Sequence, residues 1–304
     1  MIPTASHINY TIIIPHKNTP DLLRRCLNSI PQRRDLEVIV VDNNSSPEIV
    51  DFEHFPGSER KDVLILRDNN SISGGGARNT GLAYANGKWV LFADADDYYT
   101  EGFLQTLDKY KEQNIDVVYY NFNRIKDEKI TELPISLQYI KSAYEDPKDA
   151  EFLRFRYAVP WIKMINRSFL EDYHVLFEDC VVANDLFFSY QVGYYAKYIK
   201  VEPAKLYNYV INLDSISTKR RNTTDYYLCS FRHYYQNKEF HRFVNHPEWE
   251  PPIIKRFIWI LCRKGLRQFM LAVRVYLRNY TEIKRSKYYF VDQIKNEIRN
   301  HHAS

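Results

Sequence analysis

The chain has 304 residues, 45% of them hydrophobic and 26% charged, enough apolar material for one large domain or one domain with an appendage, which excludes disordered and fibrous classes. Its 42 Lys and Arg against 38 Asp and Glu leave a net charge of +4, too mild to imply nucleic acid as a partner. The charge is uneven, however: residues 253–300 hold twelve Lys and Arg and three Asp and Glu, so a basic segment follows an acidic body.

Cys26, Cys180, Cys229 and Cys262 stand far apart with no C-x-x-C pair, so neither a zinc site nor a disulfide framework is indicated and a reducing compartment is favoured. No apolar run approaches the roughly 18 to 20 residues that span a bilayer, and residues 1–10 lack a cationic start followed by an apolar core. The expectation is a cytoplasmic protein.

In chain order, residues 10–15, 36–41, 63–66, 88–93 and 116–122 read as strands. The first, second and fourth are nearly continuous apolar runs, as strands covered on both faces should be. Between the first two, Leu22, Leu23, Cys26, Leu27 and Ile30 share a helical face, and 76–84 and 101–112 read as further helices, the latter capped by Thr100. Strand and helix alternating in this way predict parallel strands with right-handed crossovers, an α/β sandwich. Residues 123–157 read as an irregular connection, 159–165 as a strand, 184–196 as a helix and 198–211 as a Tyr-rich strand pair. Beyond Ser215 the pattern is mainly helical. The expected domains are a catalytic α/β domain over 1–214 and a basic helical extension over 215–304.

In such sheets ligands bind beyond the carboxyl ends of the strands. Asp94-Ala95-Asp96-Asp97 follows the apolar run Trp89–Ala93 and places three carboxylates in four residues. Two such charges about 4 Å apart repel by roughly 4 kcal/mol at an effective dielectric near 20, so a hard cation such as Mg²⁺ or Mn²⁺, with substrate phosphates, suits the site. Ser73-Gly74-Gly75-Gly76-Ala77-Arg78-Asn79 joins a strand to a helix, where bare amides and a cation suit a diphosphate. Its spacing is neither that of a P-loop nor G-x-G-x-x-G. Asp42-Asn43-Asn44-Ser45-Ser46 offers donors and acceptors after a buried strand, suited to a base or to a plain turn.

Together, Thr11–Asn18, Glu37–Ser45, Gly75–Gly81 and Phe92–Asp97 resemble the successive signatures of the family 2 glycosyltransferases in order and spacing, over about residues 9–122. The resemblance implies the GT-A fold, with a nucleotide-binding half at about 9–122 and an acceptor half at about 123–214. It also implies transfer with inversion at the donor's anomeric carbon, using Mn²⁺ or Mg²⁺. By position, Pro15, Asp42 and Asn43 would line the base and ribose, Gly75 and Arg78 would adjoin the nucleotide, Asp94 would touch the ribose, and Asp96 with Asp97 would hold the metal. Two departures stand out: Lys17 where the family often has Tyr, and Asn43 where it often has Asp. Asn donates as well as accepts, which leaves the base open between alternatives.

Pro160-Trp161-Ile162-Lys163 followed by Asn184-Asp185 is similar to the acceptor-side half of bacterial members, and makes Asp185 the catalytic base. Glu178 and Asp179 are its rivals, and a helix cap is the plain alternative. Trp161 and Lys163 are placed on the acceptor side, Lys163 either meeting an anionic group or standing as a surface lysine. The reading is a metal-dependent transferase for polysaccharide synthesis, with a UDP-sugar as the expected donor and a glycan or lipid-linked hydroxyl as acceptor. A sugar-nucleotide pyrophosphorylase would instead carry a G-x-G-T-R-like loop where this chain has Pro15-His16-Lys17-Asn18; a non-catalytic sugar-binding scaffold is the other alternative.

In the basic segment, Arg256, Arg263, Arg267, Arg274 and Arg278 are spaced seven, four, seven and four, which at 100° per residue keeps them on one helical face, with Ile254, Ile258, Leu261, Phe269, Ala272 and Tyr276 opposite. The apolar face would dock on the catalytic domain, or the helix would lie on an anionic membrane surface, peripheral to the inner face of the cell membrane, or meet a partner protein.

Overall fold

Thr11-Ile12-Ile13-Ile14 is a run of β-branched side chains, stiff at χ1 and suited to extended backbone. It forms the heart of β1 (Tyr10–His16), in which every residue but Pro15 is buried. In the computed structural model, which describes residues 8–131, 143–144, 150–211 and 222–303, β1 pairs in parallel with β2 (Leu36–Asp42) on one side and β4 (Trp89–Phe92) on the other. Ile12 thus lies level with both Val38 and Leu91. Strand β3 (Val63–Arg67) extends this parallel group beyond β2. The chain therefore runs outward from β1 to β3 and then returns to the other side of β1 as β4. That reversal opens a crevice at the carboxyl ends of β1 and β4, the place where a doubly wound sheet receives its ligand.

Beyond β4 the sheet becomes mixed. Strand β5 (Tyr98–Tyr99) lies at the far edge; β6 (Val117–Lys126), its hairpin partner β7 (Lys129–Thr131), β8 (Lys163–Asn166) and β9 (Ile199–Val210) complete the order β3-β2-β1-β4-β8-β6-β9-β5, with β7 on β6. Residues 198–211 hold one long strand, β9, and not the expected pair. It runs parallel to β6 with a register break at Tyr120–Phe122, opposite Pro203, which cannot donate to the ladder. Of the stretch expected as a strand at 159–165, Pro160–Ile162 is a 3-10 turn, since Pro160 lacks a ladder donor, and only Lys163–Ile165 belongs to β8. The 123–157 connection is more regular than expected, holding the end of β6, β7 and the helix Ala150–Phe155; its residues 132–142 and 145–149 lie outside the described ones.

Helix α1 (Pro20–Asn28) has Pro at its first position and buries Leu23, Cys26 and Leu27. Helix α2 (Gly74–Leu82) begins two residues earlier than expected. The helix expected over 101–112 is only Phe103–Leu107, α3, followed by a 3-10 turn. Its N-cap is Gly102 at φ 74°, a left-handed geometry that favours glycine, so Thr100 does not hold the cap position; its hydroxyl donates to Lys205 O.

The chain divides into two compact units, residues 1–179 with 184–212, and residues 180–183 with 213–304. The second contains the helices Thr224–Phe243, Ile253–Arg278, Tyr280–Arg285 and Tyr289–Ala303. Tyr227, Phe231, Ile260, Ala272, Val275 and Ile283 form its core. Gly265, at φ 79° and ψ 174°, breaks the helix Ile253–Arg278 into two runs. The five arginines therefore do not share one continuous face, and Ile254, Ile258 and Leu261 on the side read as apolar are exposed. No helix among the described residues is long and apolar enough to cross a membrane.

Candidate active site

Beyond β4 the chain turns, Asp97 N donating to Asp94 O over 3.0 Å. This turn gathers the three carboxylates: oxygens of Asp94, Asp96 and Asp97 all lie within 4.8 Å of one another. Burial, with Asp94 adjacent, pushes the Asp96 carboxyl up to about 6. Asp97 is 1% exposed; its Oδ1 accepts from Val210 N at 2.7 Å, while its Oδ2 is buried without a hydrogen-bond partner. Burial and both neighbouring carboxylates drive Asp97 well above the ordinary range as well. A divalent cation fits here, because hard oxygen donors, mutual repulsion and an orphaned carboxylate oxygen are what such an ion relieves.

Asp94 is ion-paired with Arg78 of α2, and its backbone N–H donates to the Tyr207 hydroxyl at 2.9 Å. Arg78 also donates to Asn184 Oδ1 at 3.3 Å, lies over the Phe177 ring at 5.4 Å, and keeps a buried Nε without a partner. One guanidinium thus links the carboxylate turn to the residue before Asp185.

The glycine run behaves differently from the sequence expectation. Its amides are not bare: Ser73 is the N-cap of α2, and its Oγ accepts from Gly75 N at 3.2 Å and Gly76 N at 3.3 Å. The same hydroxyl donates to Asp179 Oδ1 at 2.7 Å, and Ile72 N donates to both Asp179 oxygens at 3.1 Å. A Cβ on Gly75 would stand 2.3 Å from Glu178 O and 2.8 Å from Asn184 Cβ. Gly75 is therefore required by close packing, and both Asp179 oxygens are engaged by Ile72 N and Ser73 Oγ. A Ser before a strand-to-helix glycine run is a readable capping signal; the distant Asp179 that completes it is not.

At the end of β2, Asp42 is 2% exposed. Its Oδ1 meets His16 Nδ1 at 2.8 Å and its Oδ2 accepts from Ser45 N at 3.2 Å. His16 Nε2 accepts from Thr19 N at 3.1 Å, which puts the ring proton on Nδ1, donating to Asp42. Asp42 therefore fixes the loop, and His16 is the partner that the sequence did not single out. Asn43 Nδ2 donates to Ser71 O at 3.1 Å and Ser73 O at 3.2 Å. Two carbonyl partners can only accept, so the amide orientation is forced and Oδ1 is left as an acceptor. Pro15 is half-buried at the end of β1.

Asp185 occupies the N-cap position of the helix Leu186–Tyr195 but makes no side-chain cap hydrogen bond, so the capping role does not account for it. Burial raises its carboxyl and Asp94 adds to the rise, while Arg78 and Lys163 oppose it. Trp161 stacks between Tyr207 and Tyr209, centroids 5.0 and 5.4 Å away.

Lys163 is not a surface lysine: it is 0% exposed, and its ammonium donates to Val159 O and, at 3.2 Å, to Tyr157 O. Burial lowers it to about 7. A lysine held below its unfolded value binds fewer protons when folded, so its contribution to stability grows as pH rises from about 7 towards 10 and is lost below about 7. Wild type minus Lys163→Met in unfolding free energy, measured by denaturant titration at several pH values, should increase over that window; a flat difference would contradict the assignment.

Residues 11–174, more than half of the chain, match the family described as Glycosyl transferase family 2. Two relatives from Bacillus subtilis are the uncharacterized glycosyltransferase EpsJ, 29% identical over 71% of this chain and 64% of its own, and the putative glycosyltransferase EpsH, 23% identical over 68% and 62%. The chain thus spans less than two thirds of either relative's length. Among solved structures, S. aureus TarS 1-349 in complex with UDP-GlcNAc superposes with a TM-score of 0.59 at 19% identity, covering 97% of this chain and 90% of that one. A mannosyltransferase from Pyrobaculum calidifontis, in complex with GDP-Man and Mn²⁺, gives 0.52 at 15% identity over 95% and 87%. These likenesses establish the GT-A fold with its helical C-terminal region, and the matched residues place the chain in glycosyl transferase family 2.

Proposed function

We propose that the protein transfers a sugar from a nucleoside-diphosphate donor to a hydroxyl of a glycan or lipid-linked acceptor in bacterial polysaccharide synthesis, with inversion at the anomeric carbon. The observation that carries this reading is the Asp94, Asp96 and Asp97 cluster, with its orphaned oxygen, at the carboxyl end of β4. Asp94, Asp96 and Asp97 would hold Mn²⁺ or Mg²⁺, which when bound neutralises charge developing on the departing diphosphate. Asp185 takes the proton of the acceptor hydroxyl as its oxygen bonds to the anomeric carbon, and the bond from that carbon to the diphosphate oxygen breaks on the opposite face. Arg78 holds Asp94 in place and brings positive charge beside the diphosphate.

The commitment of both Asn43 amide hydrogens to backbone carbonyls supports a role in reading a base N–H, such as that of uracil. With only Oδ1 to offer, Asn43 acts as an acceptor for a base N–H, as a carboxylate there would. The TarS complex contains UDP-GlcNAc, in keeping with a UDP-sugar donor.

Thermal unfolding with UDP- and GDP-sugars, with and without Mn²⁺, tests the reading. A ligand at 100 times its Kd stabilises by about 2.7 kcal/mol, so a Mn²⁺-dependent rise in Tm with UDP-sugars is expected. No shift with any nucleotide sugar would refute it, and binding without Mn²⁺-dependent donor hydrolysis would leave a non-catalytic scaffold.

A further inference from the structure

Gly265 divides the helix Ile253–Arg278 into two runs, and neither contains an acidic residue. After Gly265, Ala272 and Val275 are buried in the core of the second unit, with Phe269, Leu271 and Tyr276 packed on it. At 100° per residue the opposite side is Leu266, Met270, Val273 and Leu277. Leu266 is 66% exposed, Met270 58% and Leu277 67%. This row is apolar throughout. Along one flank, at 80° to 120° on the same wheel, stand Arg267, Arg274 and Arg278, all exposed and, among the described residues, in no ion pair. The run therefore has two apolar faces, one docked and one open, with the arginines beside the open one.

We propose that the row Leu266, Met270, Val273 and Leu277 seats on an anionic lipid bilayer, its apolar side chains entering the headgroup boundary while Arg267, Arg274 and Arg278 meet lipid phosphates. An apolar row bordered by unpaired cations is complementary to a surface that is anionic outside and hydrocarbon inside. A second copy of the chain fits less well. A two-fold contact through the same row would bring three arginines of each copy together with no acidic residue on either helix to receive them. The contact is reversible, because a short row and three charges fall far short of a spanning segment. The inference is independent of the transfer reaction.

Vesicle co-sedimentation of the full chain tests it, using phosphatidylcholine alone and an equimolar mixture of phosphatidylcholine and phosphatidylglycerol. Binding should require phosphatidylglycerol and weaken as salt rises, since charges at the surface are screened beyond about 10 Å at 0.1 M salt. Each arginine at such a surface contributes about five-fold to partitioning, so Arg267→Gln, Arg274→Gln and Arg278→Gln together should lower it on the order of 100-fold. Leu266→Ser, Met270→Ser and Leu277→Ser should also weaken it at unchanged charge. All six side chains are exposed, so the circular dichroism and Tm of both variants should match wild type. Equal recovery on neutral vesicles, recovery on neither, indifference to the serine substitutions, or a dimer in sedimentation velocity that those substitutions dissociate would overturn the proposal.

Discussion

An Asp96→Asn variant is expected to lose metal-dependent sugar transfer by on the order of 10²-fold or more, the scale of removing one group that stabilises charge developing in a transition state. Asn preserves the shape of the side chain and deletes the charge, so the loss isolates electrostatics from packing. The same substitution relieves repulsion. Asp96 is pushed up to about 6 by burial and by Asp94, and two carboxylates about 4 Å apart repel by roughly 4 kcal/mol at an effective dielectric near 20. Without metal the variant should therefore melt no lower than wild type, and Mn²⁺ should raise the Tm of wild type much more than that of the variant. Calorimetry with and without Mn²⁺, beside a turnover assay at limiting Mn²⁺, separates the effects. Unchanged activity at limiting Mn²⁺, or a metal-induced Tm rise equal to that of wild type, would move the metal away from Asp96.

The first half of the fold was legible because its strands are buried on both faces: Ile12–Ile14 and Val38–Val41 announce themselves as apolar runs, and their carboxyl ends mark the crevice. The Asp94, Asp96 and Asp97 cluster was legible for a related reason, as three carboxylates in four residues directly after an apolar run. What escaped were interactions between residues far apart in sequence. Ser73 and Asp179 are 106 positions apart, and their hydrogen bond holds the hydroxyl that caps the glycine run. Lys163 reads as a polar residue in a short strand, yet its ammonium is buried against Val159 O and Tyr157 O. The second half misled by periodicity: the arginine spacing holds only if the helix keeps its phase through Gly265, and a single residue at φ 79° resets it.

Asp185→Asn is expected to lower the transfer rate by about 10² to 10⁴, the usual contribution of a general base, while nucleotide affinity and Tm stay near wild type. Stability is expected to survive because the side chain, although at the N-cap of the helix Leu186–Tyr195, caps nothing. Rate should suffer because an inverting transfer needs a carboxylate for the acceptor proton, and the alternatives are narrower than the sequence left them. Asp179 spends both oxygens on Ile72 N and Ser73 Oγ. Asp179→Asn should therefore weaken the loop, lowering Tm and raising the KM for donor more than it lowers kcat. The pH profile adds a signature that a structural role would not give. Burial raises the Asp185 carboxyl, so the wild-type rate should rise with pH along a limb above the ordinary carboxylate range, as the base loses its proton. Residual activity of Asp185→Asn should lack that limb. A variant that transfers at the wild-type rate, or one that keeps the limb intact, would shift the base to Glu178.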